Sequence, residues 1–524
     1  MGMVTEKTSS IAQDLAAELL DAIFLLVAVD AMDFGERIAP PCMRLSHVCA
    51  SWRTVALARQ ELWATFLPRK SPKWTEICLA RCPSIPLTVT IDQRNHNYPS
   101  ARKGAALVLS RSPRVRSISI KPALHANREG YLSLTQSFMG DLDNCLLESL
   151  TKPHDLLEEL KLDFGIEVGL DHDDWIAAKL SENIFSSQNP PRLHRVTLVR
   201  CRLPATPLPQ LFTQSVRSLI LGNTPAWSDV DSMIQCLRGM PMLERLTYKY
   251  WLDEPKFDCR VSRSHQPRCV HLPHLMNFHL GGFWLQNLSV FNYLSIPINC
   301  TVHLSAQGWD DRYIEGISPN TVDEIVAMSG ETLKRHFTPA TSCGTFFARV
   351  EILDWAVVAQ TQNTSRNKTI HEDAALPTTI QLEFPRITHS RILAAAYRLY
   401  LSQPVMTQAN RLFFTGKAWK FCPEVFDQYT AVRRLSLAKS EDADALASAL
   451  RLKGASLFPG LRRVVIARHF HNPRLYELQP LAVYLRDTRE VGGSFECLEI
   501  SHCKSIPKDA ADRITDTLGS DRVA

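Results

Sequence analysis

One short pattern returns along most of this chain: apolar-x-x-apolar-x-apolar. It opens at Val115 (VRSISI), Leu157 (LEELKL), Leu193 (LHRVTL), Val216 (VRSLIL), Leu243 (LERLTY) and Leu275 (LMNFHL). It opens again at Phe347 (FARVEI), Val432 (VRRLSL), Leu461 (LRRVVI) and Phe495 (FECLEI). The last two apolar positions alternate with polar ones, which predicts half-buried strands. Helical patterns lie between them. Ser228-Asp-Val-Asp231 reads as a capping box, and Val230, Met233, Ile234 and Leu237 follow at helical spacing until Gly239 and Pro241. Further helices are predicted at 101–111, 141–150, 321–335, 441–453 and 476–487. Alternating strands and helices predict an α/β class. With 524 residues, the chain is too long for one ordinary core unless the units stack quasi-linearly.

Two windows extend into a longer consensus. Leu193-x-x-Val196-x-Leu198-x-x-Cys201-x-Leu203 and Phe495-x-x-Leu498-x-Ile500-x-x-Cys503 resemble leucine-rich repeats. Cys201 and Cys503 would then be buried at the bend after the strand. The steps between the windows at 193, 216, 243 and 275 are 23, 27 and 32 residues, whereas a regular repeat keeps about 20–29. The segments 252–271 and 362–378 read as loops. The expectation is an irregular leucine-rich-repeat-like α/β solenoid over 71–524, bent or interrupted near 300–400.

The first seventy residues follow a different period. In DLAAELLDAIFLLVAV, Asp14 reads as an N-cap. Leu15, Leu19, Ile23 and Leu26 fall on one helical face and Leu20, Phe24 and Val27 on the next. Gly35, Pro40 and Pro41 break the chain before a second helix at 43–58 and a short third one at 61–66. A helix this short is marginal in water, so it must dock on something.

These blocks resemble an F-box: Leu15-x-x-Glu18-Leu19-Leu20-x-x-Ile23-Phe24, then Leu45-x-x-Val48-Cys49-x-x-Trp52-Arg53, then Leu62-Trp63. The segment from Trp74 to Ile91 resembles the helix and strand that follow the F-box in many fungal F-box proteins. Ala16 stands where the family usually has proline, and the linker between the first two helices is long. Residues 1–13 are expected to be disordered; the resemblance implies an F-box of three short helices over 14–70 and docking on the Skp adaptor of a cullin-RING ubiquitin ligase. By matched position, Leu15, Leu19, Ile23, Leu45, Val48, Cys49 and Trp52 would carry that contact. It implies a substrate-recognition subunit, with a protein substrate held by the solenoid. The competing reading is an interaction scaffold without a ligase role, its helices serving as a terminal cap. A third is an enzyme whose site carries no motif.

In five windows the residue before the second apolar position is arginine: Arg195, Arg245, Arg349, Arg434 and Arg463. If the strands stack in register, these form a basic stripe suited to an acidic or phosphorylated segment. The competing reading is a solvated strand face.

Nothing else points to chemistry. Phosphate-loop, dinucleotide, nucleophile-elbow and zinc-protease motifs are missing from the sequence. Cys78 and Cys82, His47 and Cys49, and His469 and His471 are isolated pairs without a second ligand pair, and Asp171–Asp174 reads as a loop or helix start. No catalytic residue, cofactor or metal is therefore expected. The 59 basic and 54 acidic residues leave a net charge of +5, too little to predict a nucleic-acid protein. The longest apolar run, Ile23–Val29, is far short of the ~20 residues that span a bilayer. With no secretory pattern at the start, a cytoplasmic or nuclear location is expected, and the fourteen cysteines read as mostly buried free thiols.

Overall fold

A computed structural model describes residues 15–523 except 31–40, 65–66, 70, 93–98, 122–147, 165–177, 205–208, 251–256, 307–309, 362–375, 378, 416–417, 439–445, 447, 449–456, 467–478, 491–494, 501–507 and 522. The chain is mixed α/β with mostly parallel strands, and among the described residues no sheet closes into a barrel. It divides into two compact units, Met1–Ala226 and Trp227–Ala524.

The first unit begins with a helical head: α1 (Ala17–Asp30), α2 (Pro41–Leu45), α3 (Ala50–Ala58) and α4 (Gln60–Ala64), followed by α5 (Pro72–Arg81). The single helix expected at 43–58 is two. Cys49 adopts an extended conformation (φ −156°, ψ 176°) and its Sγ accepts the Trp52 N–H at 3.5 Å, so α3 starts afresh there. Leu20 and Phe24 of α1 are fully buried, and Phe24 packs on Trp52 with ring centroids 5.1 Å apart. Burial of each such side chain contributes about 1.5–3 kcal/mol. Arg59 pairs with Asp21 at 3.0 Å, and the buried Trp63 donates its indole N–H to the Ala56 carbonyl at 2.9 Å. The expected N-cap Asp14 lies outside the described residues.

The head joins a run of five parallel strands. Leu67 accepts from the Thr90 N–H at 2.7 Å and donates to the Thr88 carbonyl at 3.3 Å. The strands are β1 (Leu87–Asp92), β2 (Val115–Lys121), β3 (Glu159–Asp163), β4 (Arg195–Val199) and β5 (Ser218–Gly222). They pair in chain order and in parallel, with α6 (Pro99–Leu109) between β1 and β2. Alternate side chains go inward: Leu160, Leu162, Val196, Leu198, Leu219 and Leu221 are all fully buried. Cys201 is buried just past β4, where its N–H donates to Thr224 Oγ1 at 3.0 Å. Cys503 lies outside the described residues.

In the second unit the strands of the large sheet are β6 (Arg245–Lys249), β7 (Asn277–Gly282), β8 (Thr301–Ala306), β9 (Arg349–Leu353), β10 (Ala356–Gln360), β11 (Thr379–Glu383), β12 (Arg411–Thr415), β13 (Arg434–Leu437), β14 (Arg463–Ile466) and β15 (Cys497–Ile500). Their order is β6-β7-β8-β11-β10-β9-β12-β13-β14-β15. Every pairing recorded in this unit's sheet is parallel except those that β10 makes with β9 and β11. The run of parallel neighbours is thus broken over 349–383 by an antiparallel insertion.

Helices of this unit include α7 (Val230–Arg238), α8 (Trp284–Asn292), α9 (Asp310–Glu315), α10 (Pro319–Ser342), α11 (Ser390–Leu401), α12 (Pro404–Thr407), α13 (Ala418–Phe421), α14 (Gln479–Glu490) and α15 (Lys508–Leu518). The capping box of α7 is one residue later than expected. Asp229, not Ser228, is the N-cap. Its Oδ1 accepts the Ser232 N–H at 2.7 Å, and Ser232 Oγ accepts the Asp229 N–H at 3.2 Å. Every residue of α8 is buried. Its polar groups find partners inside: Asn287 donates to the Ser305 carbonyl at 2.8 Å and Ser289 to the Cys259 carbonyl at 2.8 Å. The helix expected at 321–335 is the middle of α10, capped by Ser318. Those expected at 141–150 and 441–453 fall mostly outside the described residues.

Candidate functional site

Three surfaces collect the residues that bear on function. The first is the outer face of the helical head. With Leu20 and Phe24 turned inward, the 3.6-residue period turns Leu19, Ile23 and Leu26 outward. They are 56%, 38% and 69% exposed, and Val27 beside them is 41% exposed. Val48, in the turn before α3, is 57% exposed. Leu15, Cys49 and Trp52 are half-buried. Leu45 lies inside the head at 9% exposure, where it cannot meet a partner without the head opening. The head therefore carries an apolar inner face that holds it together and an apolar outer face that nothing in this chain's described residues covers.

The second surface is the row of residues that opens the strands. In the first unit, register places Glu159, Arg195 and Ser218 side by side, so Arg195 stands among uncharged and acidic neighbours. In the second unit Arg245 pairs with Asn277, and four strands of the sheet order separate its strand from Arg349's. Arg349, Arg434 and Arg463 are brought together, with Arg411 completing the row: Arg349 pairs with Arg411, Arg411 with Arg434, and Arg434 with Arg463. Four guanidinium groups thus stand on four adjacent parallel strands, roughly 4.8 Å apart at the backbone. Arg349 bonds Glu351 at 2.9 Å and lies over the Phe413 ring at 6.0 Å. Arg434 reaches Glu499 at 3.5 Å and Arg463 reaches Glu496 at 3.8 Å, a carboxylate shared with Arg462 at 3.2 Å. Arg411 is exposed, and no carboxylate lies within 4.0 Å of it among the described residues.

Sequence reasoning missed Arg411 because its strand lacks a large apolar residue at the lead position. Ala409 stands there, fully buried. The smaller side chain fills the same inward slot without raising the apolar signal.

The third surface is a polar cluster on the same side of the second unit's strands, also missed. Register aligns His279, His303 and Gln381 on β7, β8 and β11. The two imidazoles stack with centroids 4.1 Å apart. His303 Nε2 lies 3.1 Å from Glu383 Oε1, which also accepts from Gln381 Nε2 at 3.1 Å; Glu383 Oε2 accepts the Ala306 N–H at 3.0 Å. Burial pushes the Glu383 carboxyl up, but hydrogen bonds from His303, Ser305 and the Ala306 N–H outweigh it and hold its pKa below the usual carboxylate range. Burial, then the neighbouring His303 and Lys249, push His279 down to about 4, so it is neutral near pH 7. The carboxylate is saturated by donors and orients His303, so the cluster braces three strands. No group of three or more His, Cys, Asp or Glu able to hold a metal occurs among the described residues.

The isolated pairs fare similarly. Cys78 and Cys82 are buried thiols, raised first by burial. His469, His471 and Asp171–Asp174 lie outside the described residues. Among the described helices, none is long and apolar enough to cross a membrane.

The chain matches no known family model, and no curated protein matches it in sequence.

Proposed function

We propose that this protein is the substrate-recognition subunit of a cullin-RING ubiquitin ligase, docking on the Skp adaptor through its helical head and holding a protein substrate with the strand-bearing remainder. One observation carries the reading: Leu19, Ile23, Leu26, Val27 and Val48 stand exposed on a head whose Leu20 and Phe24 already supply its own core. Aliphatic anchors at helical spacing are what a partner groove takes up. The order of the three F-box-like blocks adds the identity of the partner. The finer assignments, an F-box at 14–70 and a leucine-rich-repeat-like solenoid beyond it, belong to the same proposal. They are supported by a strand at each of the ten windows, each with at least one parallel neighbour, and by the buried Cys201 after one of them.

The chain then does no bond chemistry itself. It raises the effective concentration of substrate lysines near the charged ubiquitin-transfer enzyme. Co-expression with the Skp adaptor tests this. The adaptor and cullin should co-purify with the wild-type chain and be lost with the Leu19→Asp, Val48→Asp double variant. Equal recovery with both chains, or none with either, would remove the ligase reading and leave the scaffold.

A further inference from the structure

The four-arginine row of the second unit is costly to build. Like charges placed directly across neighbouring strands destabilise a sheet, yet Arg349, Arg411, Arg434 and Arg463 occupy four adjacent strands in one register. Three of them are held by carboxylates, and these carboxylates lie toward the two ends of the row: Glu351 on β9, and Glu496 and Glu499 at β15. The middle is floored by Phe413, Ser436 and Val465, which carry no charge. Positive charge is therefore concentrated around Arg411, while its neighbours are already oriented by their ion pairs. A guanidinium fixed by one carboxylate keeps further N–H donors in a rigid fork.

We propose that this row seats a phosphoryl group carried on an extended peptide, with Arg411 as the central contact and Arg434 and Arg349 flanking it. A phosphoryl group brings about two negative charges and three acceptor oxygens to one point, which suits several guanidinium forks converging on a small area. The row spans on the order of 14 Å from Arg349 to Arg463, about four residues of extended chain. The distribution of charge favours this over a polynucleotide. A nucleic-acid strand presents phosphates continuously, and would meet Glu351 at one end and Glu496 and Glu499 at the other. A single phosphoryl group meets only the basic middle.

The proposal deepens the substrate-recognition reading by naming what is captured, but the binding requires no adaptor. Full-length protein is titrated, by fluorescence polarisation, into short peptide pools with randomised flanks around a fixed phosphothreonine, threonine or glutamate. A single-stranded oligonucleotide and free inorganic phosphate are run beside them. The phosphothreonine pool should bind at least about tenfold tighter than the threonine pool. Arg411→Ala should abolish that preference, Arg411→Lys should recover part of it, and Arg195→Ala should leave it unchanged. Arg411→Gln keeps much of the side-chain stem and separates charge from packing. Equal binding of phosphorylated and unmodified pools would overturn the site, as would tighter binding of the oligonucleotide. So would an unaltered preference in the folded Arg411→Ala and Arg411→Gln variants, or inorganic phosphate that binds as well as the peptide pool. If adaptor capture fails while phosphopeptide binding persists, the ligase reading falls and this site stands; the reverse result removes the site alone.

Discussion

Asp310 is fully buried at the start of α9, where its Oδ1 accepts the Trp284 N–H at 2.8 Å. Burial outweighs its hydrogen bonds and pushes its pKa up from 3.8 to about 7. The native state therefore holds a proton that the unfolded chain has already lost between those values, and stability falls as pH rises through that window. Asp310→Asn should keep the acceptor and flatten this decline, as read by urea denaturation at pH 4.5 and pH 7.5. An unchanged slope would show that the carboxyl is not the titrating group. Gly282 is a second residue with a definite role. Its φ is +150°, and a Cβ there would lie 2.7 Å from the Tyr250 carbonyl oxygen. Gly282→Ala should lower stability by about 1–3 kcal/mol, with a midpoint shift in denaturant as the readout.

At the scale of elements, the two faces of α1 make opposite predictions. Phe24→Ala should cost about 3–5 kcal/mol, because it empties a core position. Leu19→Asp should change stability by only about 0.5 kcal/mol, because it alters an exposed one. Removing the cap of α7 with Asp229→Ala should cost about 1 kcal/mol. Thermal denaturation of the three variants measures all of these. The same distinction explains what could be read from the sequence. All ten windows are strands because each carries a large apolar residue at the lead position and two inward residues after it. The strands β8, β11 and β12 escape that pattern because Asn299, Pro377 and Ala409 occupy their lead positions. The antiparallel insertion at 349–383 escaped because Ala356–Gln360 lacks the apolar-polar alternation and folds back on β9 after only Asp354 and Trp355, a link without the Gly or Asn that marks a tight hairpin. The break between α2 and α3 turned on Cys49 acting as an N-cap, a role that Ser, Thr, Asp or Asn usually fills. The period of α1 separated the Leu19, Ile23 and Leu26 face from the Leu20 and Phe24 face, but both are apolar, and only the packing of Phe24 on Trp52 decides which of them turns inward. The arginine row was legible only in part: Arg349, Arg434 and Arg463 shared a window position, whereas Arg411, Glu496 and Glu499 met them through register.

The whole molecule carries a greasy helical head and a set of strands bearing a basic row. The exposed residues of the head carry the central claim, because a face like this is stable in water only at a cost that a partner relieves. The most direct test is a calorimetric titration of the full-length chain with purified Skp adaptor. The account predicts saturable one-to-one binding with a negative heat-capacity change, the mark of apolar burial. It also predicts that Leu19→Asp with Val48→Asp weakens affinity at least about a hundredfold, or roughly 2.7 kcal/mol, while the thermal midpoint stays in place. Absence of heat at every temperature, or a double variant that binds as tightly as the wild type, would contradict it.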